Sequence, residues 1–161
     1  KKFAIEKWEN FDAMLWKRVK KALKHQIEPS STQIYGSDIS PKFVQMAKFS
    51  AKSAAVDDII TVDQADFFTK KNSLNEGFIV SNPPYGERLK EEDIVTFYKE
   101  IGNTFKREYS GFKAWIISSN FQALKFIGLK PSKKIPLKNG ALDCKFQKYE
   151  MYSGSKKAVK N

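Results

Sequence analysis

Two periodicities alternate along the chain, one typical of helices and one typical of buried strands. Apolar side chains recur at helical spacing from Asn10 to Lys24, which predicts an amphipathic helix. Helical spacing returns over 41–55, with Ser40 as the cap and Pro41 in the first turn, and again over 91–109 and 122–127. Short apolar runs between these helices predict strands at 33–38, 59–62, 77–81 and 113–118.

The last part of the chain has a different organisation. Segments 130–136 and 142–152 have the pattern of two antiparallel strands joined through the turn-forming pair Asn139-Gly140. Before them, strands and helices alternate, an order that favours parallel pairing with helices on both faces of a sheet. The sequence therefore predicts an α/β fold with a doubly wound, mostly parallel sheet, closed at one edge by an antiparallel hairpin.

The tetrapeptide Asn82-Pro83-Pro84-Tyr85 follows the predicted strand 77–81, at the sheet edge where α/β proteins bind ligands. This sequence suits methyl transfer to an exocyclic base amine, whose lone pair is normally conjugated into the ring. The Asn82 side-chain carbonyl and the Pro83 backbone carbonyl can accept the two amine protons. Both prolines fix φ, and Tyr85 offers a flat face to an extracted base. The alternative is a rigid Pro-Pro turn with a packing tyrosine.

The same tetrapeptide resembles the fourth motif of amino-methyltransferases that depend on S-adenosyl-L-methionine, a class that acts on DNA adenine, RNA guanine or protein glutamine. The longer string from Ser81 to Leu89 is similar to the ribosomal RNA guanine-N2 methyltransferases that carry an upstream THUMP domain. Residues 138–144 resemble the C-terminal hairpin of that family, and residues 3–8 resemble the segment after its first motif. The resemblance thus extends to about Tyr152 and implies a Rossmann-like class I methyltransferase fold.

The resemblance also implies S-adenosyl-L-methionine as the cofactor and suggests which residues bind it. Asp38, at the end of its predicted strand, corresponds to the carboxylate that accepts the ribose hydroxyls, although it could instead only begin the turn before Ser40. Asp66 and Phe67 resemble the third motif, whose carboxylate accepts from the adenine amine and whose ring packs on the purine. Asp63 competes with Asp66 for that role, and a turn-stabilising Asp63 with a core Phe67 is the alternative.

Members of that family have a first strand and a glycine-rich loop, and none of the 8 glycines here forms such a cluster. We therefore expect residues 1–152 to be the C-terminal portion of a methyltransferase domain and residues 153–161 to be a basic tail. The absent strand would leave two open edges in mid-sheet, beside the strands that end at Asp38 and Ser81. Another part of the same protein, or another chain, is expected to cover them, and this chain alone is expected to be inactive.

Charge and composition limit the classes of partner that are expected for this chain. Residues 99–161 hold 14 Lys and Arg against 4 Asp and Glu, and residues 1–98 hold 15 against 14, so the last third carries nearly all of the net charge of +11. This bias could serve solubility, but beside an amino-methyl-transfer loop it favours nucleic acid. Cys144 is the single cysteine of the sequence, which excludes an internal disulfide. His25 is the single histidine, so the two residue types that most often bind zinc occur only once each and no metal site is predicted. Neither a membrane span nor a signal peptide is indicated, so a cytoplasmic location is expected.

The resulting prediction is methylation of guanine N2 in large-subunit ribosomal RNA. An N6-adenine DNA methyltransferase and a noncatalytic RNA-binding module are the alternatives. Glu87 and Arg88 are placed to orient the base or a neighbouring phosphate, or else form an ion pair that braces the loop. Candidates for contact with the RNA backbone are Lys133, Lys134 and Lys138.

Overall fold

The computed structural model describes residues 3–84 and 91–152. The α-helices in these residues are α1 (Ala13–His25), α2 (Pro41–Ser53) and α3 (Glu91–Glu108). The strands are β1 (Ile34–Asp38), β2 (Ile60–Gln64), β3 (Gly77–Ser81), β4 (Phe112–Ser118), β5 (Lys133–Asn139) and β6 (Leu142–Glu150). Short 3-10 helices span Ala4–Lys7 and Ala123–Ile127. The helices in these ranges are too short or too polar to cross a membrane.

The chain divides into two compact units. The first unit consists of Lys1–Gly36 and Gln45–Asp63, and the second unit consists of Ser37–Val44 and Gln64–Asn161. In the first unit, the Asp12 side chain caps α1 by accepting a hydrogen bond from the Leu15 backbone N–H at 2.8 Å. The helix is amphipathic as predicted, yet it buries no residue, and Met14 is 79% exposed. The apolar face of α1 is therefore uncovered in the described residues.

The second unit contains a four-stranded sheet in the order β3-β4-β6-β5. Strands β3 and β4 are parallel, with Ser81 opposite Ile116, whereas β6 is antiparallel to both β4 and β5. This mixed sheet with a C-terminal hairpin confirms the predicted fold class. The remaining strands, β1 and β2, form a separate two-stranded sheet, and no strand of residues 3–84 and 91–152 joins the two sheets.

Helix α3 covers one face of the larger sheet. Its predicted apolar face is confirmed, because Tyr98, Ile101 and Phe105 are all buried. They pack with alternate residues of β4, among them Ala114 and Ile116, as period-two alternation along a half-covered strand requires.

Gly102 lets α3 approach the 3-10 helix Ala123–Ile127 closely. A Cβ atom added at Gly102 would lie 1.8 Å from the backbone oxygen of Ile127. Only a residue without a side chain fits there, and the contact is backbone to backbone.

The opposite face of the larger sheet is open in the described residues. Phe78 and Val80 of β3 are 70% and 72% exposed. On the same face, the rings of Trp115 and Phe146 stack with centroids 4.6 Å apart. Parallel strands are almost always covered on both faces, so an apolar surface of this kind is typical of a contact with another structural element.

The predicted hairpin turn is displaced by one residue. Asn139 was expected in the turn, but it ends β5 and pairs with Leu142, so that Gly140 and Ala141 form the connection. Gly140 has φ of 61°, a left-handed conformation that glycine adopts without steric cost. Cys144 is buried in β6.

Candidate active site

The loop after β3 presents Asn82 to solvent. Since β3 and β4 are parallel and in register, Asn82 leaves the sheet at the same edge as Ser118, the last residue of β4. The Asn82 side chain is exposed and makes no hydrogen bond with the residues whose side chains the structure describes, 3–84 and 93–152. Pro83 is buried and Pro84 half-buried, so the backbone behind Asn82 is held by packing as well as by its fixed φ. Such an amide can accept a hydrogen bond from a ligand.

Three residues of the predicted site, Tyr85, Glu87 and Arg88, lie outside the described residues. Their assignment to base stacking and substrate orientation stays a prediction.

Asp38 ends β1 in a half-buried position. Its Oδ1 accepts a hydrogen bond from the Ser40 backbone N–H at 2.8 Å, so the carboxylate does begin the turn that leads into α2. The second carboxylate oxygen makes no hydrogen bond in the described residues. One carboxylate oxygen of Asp38 stabilises the turn, and the other has no hydrogen bond in the described residues. Asp38 can therefore begin the turn and also bind ribose hydroxyls. The contact with ribose hydroxyls stays a prediction.

Asp66 lies beside Asp38, because the backbone N–H of Ala65 donates to the backbone oxygen of Asp38 at 3.1 Å. The Asp66 side chain is exposed, and its Oδ1 accepts from the Phe68 N–H at 2.9 Å. Strand β2 extends to Gln64, further than the sequence indicated, so Asp63 lies within the strand and Asp66 follows it. Of these two carboxylates, the position at the strand end favours Asp66 as the adenine acceptor.

Phe67 packs in an aromatic cluster of the core. Its ring is stacked on Tyr109 with centroids 5.8 Å apart, and it meets Phe105 edge to face at 6.0 Å. The structure thus gives Phe67 the packing role that was the alternative for it, and contact with a purine stays a prediction.

A set of long-range contacts ties the segment after β2 to the C-terminal end of α3. The Arg107 guanidinium donates to the Phe68 carbonyl at 2.7 Å, and the Lys71 ammonium donates to the Glu108 carboxylate at 2.8 Å. Asn72 donates to the Glu108 backbone oxygen at 3.0 Å. These contacts fix the segment that carries the Asp66 turn. Sequence reasoning missed them because no local pattern links residues so far apart in the chain.

The Glu108 carboxylate gives this connection a dependence on pH. Hydrogen bonds from Lys71 and then from Arg107 hold the pKa of Glu108 below its ordinary value of 4.5. A depressed folded-state pKa means that these bonds stabilise the fold above the unfolded pKa and that the contribution is lost as pH falls through the folded value. We therefore expect Glu108→Gln to lower the free energy of unfolding at neutral pH, and the deficit to shrink toward zero as pH falls through the depressed folded-state pKa of Glu108. Urea unfolding of both proteins at several pH values measures this, and a deficit that is constant with pH would contradict it.

The three candidate lysines of the hairpin are all exposed on β5. Lys138 forms an ion pair with Asp143 at 3.3 Å, so its charge is partly balanced. Consecutive strand residues point to opposite faces, which separates Lys133 from Lys134. Strand β5 is three positions from β3 in the sheet, roughly 14 Å away at about 4.8 Å per strand. The lysines therefore do not join Asn82 in one cluster, and their contact with a nucleic-acid backbone stays a prediction.

Beyond β4, the chain forms a short loop that the sequence did not single out, residues 119–122, called the β4 loop below. The buried Ser118 hydroxyl lies 2.7 Å from the Tyr98 hydroxyl and accepts a hydrogen bond from the Asn120 N–H at 3.1 Å. Asn120 Oδ1 accepts in turn from the Ala123 N–H at 2.8 Å. An open depression of about 410 Å³ is lined by Ser119, Asn120, Phe121 and Gln122. Since β4 ends beside β3, this depression belongs to the same sheet edge as Asn82.

These features define a Rossmann-like class I methyltransferase domain. They are the carboxylates at the strand ends of β1 and β2, the Asn-Pro-Pro loop after β3 and the C-terminal antiparallel hairpin. Residues 2–148 match the family UPF0020, described as the RMKL-like methyltransferase domain, and the chain belongs to this family.

Among curated proteins, the chain is 31% identical over 159 residues to the ribosomal RNA large subunit methyltransferase K/L of Shewanella frigidimarina. The alignment covers 96% of this chain and 22% of that relative. The corresponding protein of Shewanella amazonensis is 33% identical over the same fractions of the two chains. This chain therefore spans about a fifth of the length of the curated relatives that it matches.

Solved structures show the same fold. SMU.472, assigned as a methyltransferase and crystallised with SAH, is 27% identical with a TM-score of 0.79, over 96% of this chain and 41% of that one. A predicted N6-adenine-specific DNA methylase from Listeria monocytogenes is 26% identical with a TM-score of 0.73, over 94% of this chain and 39% of that one.

Proposed function

We propose that the protein containing this chain transfers a methyl group from S-adenosyl-L-methionine to the exocyclic N2 amine of a guanine in large-subunit ribosomal RNA. The observation that carries the proposal is the exposed Asn82 side chain, held at the carboxyl end of β3 by the buried Pro83. Support for the RNA comes from the curated relatives, which are named as methyltransferases of that RNA.

Two residues of the described chain fit the adenosine part of the cofactor. Asp38 keeps one carboxylate oxygen open for ribose hydroxyls, and Asp66 presents an exposed carboxylate to an adenine amine from the adjacent strand end. The hydrogen bond between Ala65 and Asp38 holds these two strand ends side by side. The cofactor supplies an electrophilic methyl group on a sulfonium. SMU.472 was crystallised with SAH, the demethylated form of this cofactor.

The Asn-Pro-Pro loop supplies what the amine needs to become a nucleophile. The Asn82 side-chain oxygen accepts a hydrogen bond from one amine N–H and the Pro83 backbone oxygen accepts one from the other, so the nitrogen lone pair is directed away from the ring. With S-adenosyl-L-methionine held by Asp38 and Asp66, the cofactor would supply the methyl carbon that this nitrogen attacks, with its sulfur as the leaving group, and the methylated nitrogen would lose one proton to solvent. Because the loop is fixed in advance, little ordering is required when the substrate arrives.

The charge of the second unit suits a phosphate-rich substrate. Residues 99–161 hold 14 Lys and Arg against 4 Asp and Glu, so most of the net positive charge lies in the part of the chain that contains β4, β5 and β6. Lys133 and Lys134 are exposed and carry no ion pair within the described residues. We assign them to non-specific contact with the RNA backbone, and Lys138 to a weaker contact because Asp143 balances its charge.

The open apolar surfaces of both units are assigned to contact with another part of a longer protein. Phe78 and Val80 in one unit and the apolar face of α1 in the other are left uncovered. The indole N–H of Trp16 is buried and has no hydrogen-bond partner in the described residues, as expected where a neighbouring segment supplies the acceptor. The curated relatives are long enough to provide such a segment.

A methylation assay with the full-length protein tests the function. We expect labelled methyl groups from S-adenosyl-L-methionine to enter large-subunit ribosomal RNA that lacks this modification and to be recovered as N2-methylguanine. Duplex DNA, incubated with the same cofactor, is the substrate against which the RNA is compared. Label recovered as N6-methyladenine in the DNA would instead support the activity named for the Listeria structure. Label in neither polymer would contradict the proposal.

A further inference from the structure

The β4 loop lies where a substrate bound at Asn82 would continue. Strands β3 and β4 are neighbours and parallel, so the residues after Ser81 and after Ser118 share one edge of the sheet. Adjacent strands are about 4.8 Å apart, so the β4 loop begins within a few ångströms of the residues that follow Ser81. A nucleotide next to the target base would therefore reach the β4 loop.

This loop is held in place by buried polar contacts. The Tyr98 and Ser118 hydroxyls are both fully buried and hydrogen-bonded to each other, and Ser118 also fixes the Asn120 backbone. The Leu124 N–H donates to the Asn120 carbonyl at 3.2 Å. A loop anchored at both ends presents its exposed groups in a fixed arrangement before any ligand binds.

Phe121 and Lys145 form a cation–aromatic pair on this loop. The Lys145 ammonium lies 4.1 Å from the centroid of the Phe121 ring, and the ring is 37% exposed. Lys145 is brought there by β6, in which it stands directly opposite Ser118. The ring restrains the long lysine side chain, so less conformational entropy is lost when its ammonium binds an anion.

Lys145 differs from its neighbours on the hairpin in its ion pairing. Lys138 pairs with Asp143, and Lys148 pairs with Glu150 at 2.7 Å. Lys145 has no carboxylate partner among the side chains that the structure describes, those of residues 3–84 and 93–152. A half-buried lysine that is restrained by a ring and has no such partner is suited to bind an external anion.

We propose that Phe121 and Lys145 form a subsite for the RNA phosphate adjacent to the methylated base. This inference rests on the proposed function and adds a residue pair that fixes the position of the strand beside Asn82. Lys145 contacts the phosphate, and Phe121 is a positioning residue that acts through Lys145. The subsite contributes to RNA affinity but takes no part in the chemistry at the amine, which is the role of the Asn-Pro-Pro loop.

The test uses the full-length protein and an RNA fragment that the wild type methylates. Lys145→Gln is expected to weaken RNA binding and to reduce the slope of log affinity against log salt by about 0.7, the value for one phosphate contact on a single strand. Lys145→Arg should keep the wild-type slope. Phe121→Leu should weaken binding, whereas Phe121→Trp should preserve it, because only the aromatic ring can hold the ammonium. In each weakened variant KM for RNA rises while kcat and the affinity for S-adenosyl-L-methionine stay unchanged.

Lys106→Gln is the matched control, since Lys106 is exposed in the last turn of α3 and its loss removes the same charge. Equal salt slopes for Lys145→Gln and Lys106→Gln would overturn the subsite while leaving the proposed function intact. A fall in kcat without a change in RNA affinity would also overturn it. If the wild type methylates no RNA, the proposed function fails and the subsite fails with it.

Discussion

Substitution of Asn82 by alanine in the full-length protein is expected to lower kcat for methyl transfer by about 10²–10³-fold. On the proposed function, the exposed side-chain oxygen at the end of β3 accepts a hydrogen bond from the amine that strengthens as positive charge develops on the nitrogen, so its removal should act on the transition state. Affinity for RNA should change little, because phosphate contacts dominate it. Single-turnover methylation and a separate RNA-binding measurement distinguish the two quantities.

Asn103→Ala provides a matched control for this substitution. Asn103 lies on α3, where its side chain donates to Glu100 at 2.9 Å, away from the strand ends. This variant should methylate RNA at the wild-type rate. If Asn82→Ala retains full methylation, the Asn-Pro-Pro loop is a packing turn, and the noncatalytic RNA-binding alternative gains support.

The second large effect concerns stability. Gly102→Ala is expected to lower the free energy of unfolding by about 2 kcal/mol or more, because the new Cβ atom would lie 1.8 Å from the Ile127 backbone oxygen. Helix propensity alone predicts the opposite sign, a gain of about 1 kcal/mol when alanine replaces glycine inside a helix. The clash should exceed that gain because its partner is backbone and cannot rotate away. Denaturant unfolding gives the sign directly.

Gly36→Ala is the control for Gly102→Ala. Gly36 lies in β1, and a Cβ atom there would meet only the Val62 methyl groups at 3.9 Å, an ordinary contact. Alanine at this position should be neutral or slightly stabilising. A Gly102→Ala protein that is more stable than the wild type would show that the two helices can move apart at little cost.

Much of the fold could be predicted because local patterns determine it. The apolar run at Gly77–Ser81 gave the bounds of β3 correctly, and the periodic face of α3 is the face that packs on the sheet. The buried face of α3 and the half-buried Ile79 of β3 pack against neighbours within this chain, so the pattern and the packing agree there. The position of Asn82 at a strand end follows from the same argument, because a strand followed by two prolines can continue no further in a ladder.

Other features could not be read from the sequence because they depend on contacts between distant residues. The pair Phe121 and Lys145 forms only when β6 pairs with β4, and the Arg107 contact with Phe68 needs the end of α3 beside the segment after β2. The turn prediction at Asn139 was displaced because strand pairing extended through that residue. Helix α1 was predicted as amphipathic, and it is, yet periodicity alone cannot identify what covers its apolar face.

The division between the two sheets has a geometric consequence for catalysis. On the proposed assignments, the methyl donor is held by β1 and β2, and the acceptor amine is held by the strand end of β3. Misplacement of reacting groups by about 1 Å can cost 10²-fold in rate, so transfer on these assignments requires both sheets to be held in one fixed arrangement. We expect whatever contact fixes that arrangement to control the rate without supplying a chemical group of its own.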